Sequence, residues 1–207
     1  MNNTLRYKAV SFLLCALAPP LAIAQDIQVA PSEWSFSGYA GQASIDSTTA
    51  LQEGVDDNAW IVGFSADYMH SNWVTSVGLD VMLYDDNQKF NQEVEGNGVF
   101  NDGDRSTESS SANGYLLYAA TGYQWLFTEQ QNVAVRLQGG YSHMFSSERS
   151  IGTCTNCYSE DINVDGGVFA KATVLRAGES VSFGAFLQQY FGDGVNTVFG
   201  ITIASSF

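Results

Sequence analysis

Residues 195–207, VNTVFGITIASSF, decide how the rest of the chain is read. Val195, Thr197, Phe199, Ile201, Ile203, Ser205 and Phe207 share one parity, while Asn196, Val198, Gly200, Thr202, Ala204 and Ser206 share the other, which is smaller and mostly more polar. A period of two is a strand. An apolar face backed by a small or polar one suits a strand with lipid outside and a packed or wet lumen inside. An edge strand of a soluble sandwich shows the same alternation, so the remaining segments must decide.

The pattern recurs seven times upstream. Segments are expected at 34–45, 60–69, 73–84, 115–127, 132–145, 161–175 and 180–191, which with 195–207 makes eight. In 73–84 the alternation is nearly unbroken: Trp73, Thr75, Val77, Leu79, Val81 and Leu83 oppose Val74, Ser76, Gly78, Asp80, Met82 and Tyr84. The first segment does not declare its faces, because Trp34 and Phe36 lie on one parity and Tyr39, Ala43 and Ile45 on the other. Connections alternate between stretches that tend to be long (46–59, 85–113, 146–160) and short turns (70–72, 128–131, 176–179). Such asymmetry, with an even strand count, is the topology of a membrane barrel with long loops outside and both termini on the other side.

The amino terminus carries Arg6 and Lys8, then a mostly apolar run over 9–18, then Ala22-Ile23-Ala24 before Gln25. It reads as a signal peptide over 1–24, leaving one barrel domain over 25–207. Lipidation at Cys15 is disfavoured because Leu14 precedes it. No apolar run after the signal is long enough for a transmembrane helix, so membrane entry requires a closed barrel. Without Arg6 and Lys8, six basic residues face 22 acidic ones, a balance of −16 that argues against nucleic acid.

With these features assembled, the chain resembles the small eight-stranded outer-membrane β-barrels typified by the transmembrane domain of outer-membrane protein A and by outer-membrane protein X. The resemblance covers essentially everything after the signal, and its most specific element is the strand ending in Phe207. It implies an all-β, antiparallel, up-and-down barrel in the bacterial outer membrane, with loops extracellular and termini periplasmic. It also implies that Phe199, Ile201, Ile203 and Phe207 form the signal read by the barrel assembly machinery. Outer-membrane lipid and lipopolysaccharide follow as partners, with a surface ligand at the loops.

The aromatic positions agree with that class. Trp34, Tyr68, Trp73, Tyr123, Trp125, Phe127 and Phe207 fall beside short turns or termini, and Trp60, Tyr115, Tyr141, Phe145 and Phe191 fall at loop ends, which makes two girdles. A soluble lipocalin-like barrel would put its large apolar residues inside. The inner parity carries Asp67, Asp80, Arg136, Asp165 and Lys171, with Gln138 and Gln188. Buried charges need partners, so Arg136 and Lys171 are expected to pair with some of these aspartates and fill the lumen. Eight strands leave room for side chains rather than a channel.

Signals for chemistry are weak. His70-Ser71-Asn72 superficially resembles the residues of outer-membrane lipid acyl hydrolases, but three consecutive turn residues do not make a nucleophile, base and partner converge. His143 with Ser146, Ser147 and Glu148 departs from that pattern too. Cys154-Thr155-Asn156-Cys157 has metal or redox spacing, yet no second pair completes four ligands, and a loop disulfide worth about 2 kcal/mol or less is expected. Asn101-Asp102-Gly103-Asp104 echoes a calcium loop without its closing Glu. No catalytic residue, cofactor or metal is therefore expected. The reading is a non-enzymatic barrel serving envelope integrity or surface interaction through acidic loops, with an adhesin-like binding barrel and a lipid-modifying enzyme as alternatives.

Overall fold

The computed structural model describes residues 33–95, 105–127, 132–152, 157–178 and 180–205. The signal segment 1–24, Cys154, the 101–104 acidic stretch and Phe207 lie outside the described residues. Eight long strands close into one antiparallel barrel: β1 (Glu33–Ile45), β2 (Val55–His70), β3 (Trp73–Asp86), β6 (Ser111–Phe127), β7 (Val133–Ser150), β9 (Gly167–Ala177), β10 (Val181–Tyr190) and β11 (Val195–Ser205). Between them lie helix α1 (Ser47–Glu53), a small hairpin of β4 (Asn91–Glu95) and β5 (Arg105–Ser109), and the short β8 (Ser159–Asp161). Each long strand pairs with its sequence neighbours, and β1 closes on β11 from Ser37↔Ala204 to Ile45↔Val195.

The alternation seen in the sequence becomes an inside and an outside. On β11, Phe199, Ile201 and Ile203 are exposed while Val198, Thr202 and Ala204 are buried. The outward set over the whole wall is large and apolar, with Phe64 69% exposed, Ile201 66% and Trp34 61%. A monomeric soluble protein does not leave so continuous an apolar belt in water. Aromatic rings gather at the end bearing the short turns, where Trp34 lies 5.2 Å from Tyr68 and Trp73 lies 5.9 Å from Tyr123. At the loop end Tyr115 and Phe145 lie 6.0 Å apart.

The parity of β1 is settled by its partners. Tyr39 pairs with Gly63 on β2, and Gly63 with Asp80 on β3, so all three share one inward row. A Cβ at Gly63 would overlap both the Tyr39 ring and Asp80 Oδ1. Glycine there makes room for a phenol that reaches across the strand to a carboxylate.

Several strands extend further towards the loops than the sequence suggests. β2 starts at Val55 rather than 60, β6 at Ser111 rather than 115, and β7 continues to Ser150 rather than 145. The polar stretch 46–59 contains α1, whose start and stop are both encoded locally. The Asp46 carboxylate accepts from Thr48 N at 2.9 Å and Thr49 N at 3.3 Å, and Gly54 ends the helix at φ 67. Residues 162–166 are not strand, so the expected segment 161–175 begins only at Gly167.

Replacing Ile201 by Lys puts a charge on the belt at a cost of roughly 2–4 kcal/mol near mid-bilayer. The expected result is a reduced folded fraction on cold detergent gels, while Ile201→Val assembles normally. Gly63→Val is expected to lower stability by about 1–3 kcal/mol through overpacking, read as a lower urea midpoint in lipid vesicles.

Candidate functional site

Inside the barrel, polar side chains from opposite walls meet. Arg136 Nη1 lies 2.9 Å from Asp67 Oδ2, with both side chains nearly fully buried. The same guanidinium donates through Nε to Gln124 Oε1 at 2.5 Å, and Ser37 Oγ donates to Asp67 at 3.3 Å. Gln138 Nε2 donates to Ser76 Oγ at 2.7 Å. Two inward rows nearer the loops, Tyr39 OH donates to Asp80 Oδ1. Buried charges held by several hydrogen bonds are tolerated, whereas removing one partner from such a pair costs about 3–5 kcal/mol.

Lys171 takes a different partner from the one expected. Its Nζ sits 4.7 Å from the Tyr39 ring centre, 4.9 Å from Phe186 and 5.4 Å from Tyr118. Among the described residues it makes no ion pair within 4.0 Å. An ammonium over three ring faces is held by their quadrupoles. The space left beside it is a cavity of about 20 Å³, lined by Ser37, Asp67, Tyr118, Arg136 and Lys171 among others. That volume holds about one water, so the lumen is filled rather than a conduit.

The loop end is closed by a second cluster built on Arg149. Its Nε lies 2.8 Å from Asp86 Oδ1 and its Nη1 3.2 Å from Glu160 Oε2. Its Nη2 donates to the carbonyls of Glu53 at 2.9 Å and Gly54 at 3.2 Å. One guanidinium, 1% exposed, thus ties together the end of α1, the end of β3, and β8. Beneath it Ile45, Ala50, Val55, Ile162, Val164 and Val195 pack as an apolar plug. Further ties are Tyr158 N to Gln92 Oε1 at 3.1 Å, the Phe90 and Tyr158 rings 5.4 Å apart, and Asn163 N to Glu53 Oε2 at 2.9 Å. The last loop is tied in by Thr49 Oγ1 donating to Asp193 O at 2.6 Å.

Arg149 was not visible in the sequence because a bulge changes the parity of β7. Tyr115 pairs with Ser146 but Leu116 with Met144, so Phe145 is the extra residue and odd positions beyond it turn inward. The structure thus brings Asp67 and Arg136 together and places Asp80 and Lys171 in the same lumen. Asp165 does not join them. It is exposed in the non-strand segment where Ile162 and Val164 turn inward, and its carbonyl accepts from Val195 N at 3.0 Å.

The turn 70–72 is occupied with holding itself. Ser71 adopts φ 57, Asn72 Nδ2 donates to Gln124 O at 3.0 Å, and Ser71 Oγ donates to Asn72 Oδ1 at 3.4 Å. His70 and His143 are both exposed. Among the described residues no three His, Cys, Asp or Glu side chains gather as a metal site.

Substituting Arg149 by Met strands the buried Asp86 carboxylate and frees the outer loops from one another. Chymotrypsin is expected to cut near Phe90 and Tyr158 in the folded barrel far faster than in the parent, with the heat-dependent gel shift retained. Unchanged protection would show that the loops are held otherwise. The filled lumen further leads us to expect no large, stable channels in planar bilayers.

No family model and no curated protein matches the chain. Among solved structures, Neisserial surface protein A matches with a TM-score of 0.51 at 12% identity, over 86% of this chain and 100% of that one. Ail, the attachment invasion locus protein of Yersinia pestis, crystallised with the heparin analogue sucrose octasulfate, matches at 0.46 and 13% identity over 84% and 97% of the two chains. The N-terminal β-barrel domain of Pseudomonas aeruginosa OprF matches at 0.44 and 11% identity over 85% and 99%. The likeness to Neisserial surface protein A is one of fold, and the chain is accordingly an eight-stranded antiparallel barrel of the kind built by the small outer-membrane proteins.

Proposed function

We propose that the chain is a non-enzymatic barrel of the bacterial outer membrane that supports envelope integrity and presents a stiff, acidic loop assembly for surface interaction. The observation that carries this reading is the combination of a continuous apolar outer wall with a lumen that has room for about one water. Such a body anchors in lipid and passes no solute, so what remains available for function is its loop end.

In this reading the loop end faces outward, the termini face the periplasm and residues 1–24 are removed on export. Phe199, Ile201, Ile203 and Phe207 form the face read by the assembly machinery, and Cys154 and Cys157 form a loop disulfide in an oxidising compartment. Asp56 and Asp57 open β2, Asp85 lies near the end of β3, Glu93 in β4 and Glu148 late in β7, so all five belong to the loop end. They favour divalent cations that bridge to lipopolysaccharide phosphates, both partners being anionic. A polysulfate such as the heparin analogue seen with Ail would meet repulsion at this rim.

A thiol probe that cannot cross the outer membrane tests orientation and pairing together. It is expected to label intact cells only after mild reduction. Labelling without reductant would show free thiols, and no labelling after reduction would put the loop on the other side.

A further inference from the structure

One face of the loop end leaves β7 without a neighbouring strand. Pairing with β9 stops at Ser142↔Gly167, and pairing with β8 begins only at Glu148↔Asp161. Over residues 143–147 the edge of β7 faces the non-strand segment 162–166, with one backbone bond, Ile162 N to Ser147 O at 2.9 Å, across the gap. A recess of about 500 Å³ opens there, walled by Tyr141 and His143 on one side, Asn163 and Asp165 on another, and the Gly192-Asp193-Gly194 turn on the third. Bare strand edge is not tolerated in hydrocarbon. The recess therefore belongs above the acyl chains, in the polar layer.

We propose that this recess is a binding site for an uncharged saccharide. Its size falls within the range of small-ligand sites, about 300–1,000 Å³. Its chemistry is that of hydroxyl recognition: Asp165 and Asp193 offer carboxylate acceptors, Asn163 and His143 offer groups that donate and accept, and Tyr141 offers a ring face for the apolar side of a sugar ring. Among the described residues, no hydrogen bond or ion pair engages the side chains of Tyr141, His143, Asn163, Asp165 or Asp193. Small residues line the third wall, so backbone groups come close to whatever sits there. Phosphate or sulfate esters are disfavoured by the two carboxylates. The sugar can arrive attached to a lipid in the same leaflet or free from outside, and the recess chemistry is common to both. The proposal deepens the surface-interaction reading and rests on the loop end lying outside the hydrocarbon.

The test uses the purified barrel in two settings. In detergent micelles, saturation-transfer NMR is run with free glucose, galactose and N-acetylglucosamine. In nanodiscs made with or without a neutral glucosyl diacylglycerol, the ring signals of His143 and Tyr141 are followed. Binding of a free sugar, or a His143 and Tyr141 shift confined to the glucosyl diacylglycerol discs, supports the site and identifies the source. In either case the double variant Asp165→Ala with Asp193→Ala should weaken binding at least about tenfold, while Thr107→Ala on the exposed β5 hairpin leaves it unchanged. No response in either setting, a response that the double variant leaves intact, or tighter binding of dextran sulfate than of neutral sugars overturns the proposal. A barrel that binds sugar in micelles but does not insert into vesicles would instead contradict the membrane reading.

Discussion

The structure depends on closure of the backbone ladder between its first and last long strands. In hydrocarbon an unpaired peptide group costs several kcal/mol, and the edges of β1 and β11 would each expose a row of them. Their pairing from Ser37↔Ala204 to Ile45↔Val195 removes both edges at once. Closure then forces the side chains apart into two populations, because each strand has only two faces. The outer wall is free to be apolar and continuous. The inner wall must be filled by whatever fits inside eight strands.

That filling explains the mixture of glycine, aromatic and charge within the lumen. Gly63 makes room for Tyr39 to reach Asp80, and a Cβ at Gly78 would overlap the Tyr118 ring in the same way. Arg136 spends its donors on Asp67 and Gln124, and Lys171 rests on ring faces. Charges on opposite walls are thus made to hold the walls together without leaving a path between them. At the loop end a different rule applies, since Arg149 draws carbonyls and carboxylates from three connections onto one guanidinium. A planar group with five fixed donors suits that task better than an ammonium.

Much of this was legible in the residues. In 73–84 and 198–205 the side chains face the way their parity indicates, because the pairing there runs without irregularity, whereas Val195, of the outward parity, is turned into the buried plug where the register with β1 shifts. Asp67, Asp80, Arg136 and Lys171 were legible as inward for the same reason. What escaped was whatever depends on a break in the period or on a contact across the barrel. The extra residue at Phe145 hides Arg149, and the non-strand segment before Gly167 turns Ile162 and Val164 inward and leaves Asp165 outside. The faces of β1 were undecided until Gly63 supplied the space opposite Tyr39. Helix α1 had its signals in view, Asp46 before and Gly54 after, but seven residues with little apolar periodicity read as loop. The aromatic lodging of Lys171 is set by β1, β6 and β10 together, which no single segment announces.

The central claim is that the wall of β11 meets lipid on one parity and a sealed interior on the other. Spin labels placed singly at positions 197–204 in vesicle-reconstituted barrel test it directly, with collision rates measured against oxygen, which concentrates in lipid, and against a water-soluble nickel chelate. The account predicts high oxygen and low nickel accessibility at 199, 201 and 203, and low accessibility to both at 198, 202 and 204. High nickel accessibility at 199, 201 and 203 would show that this face meets water and would contradict the account.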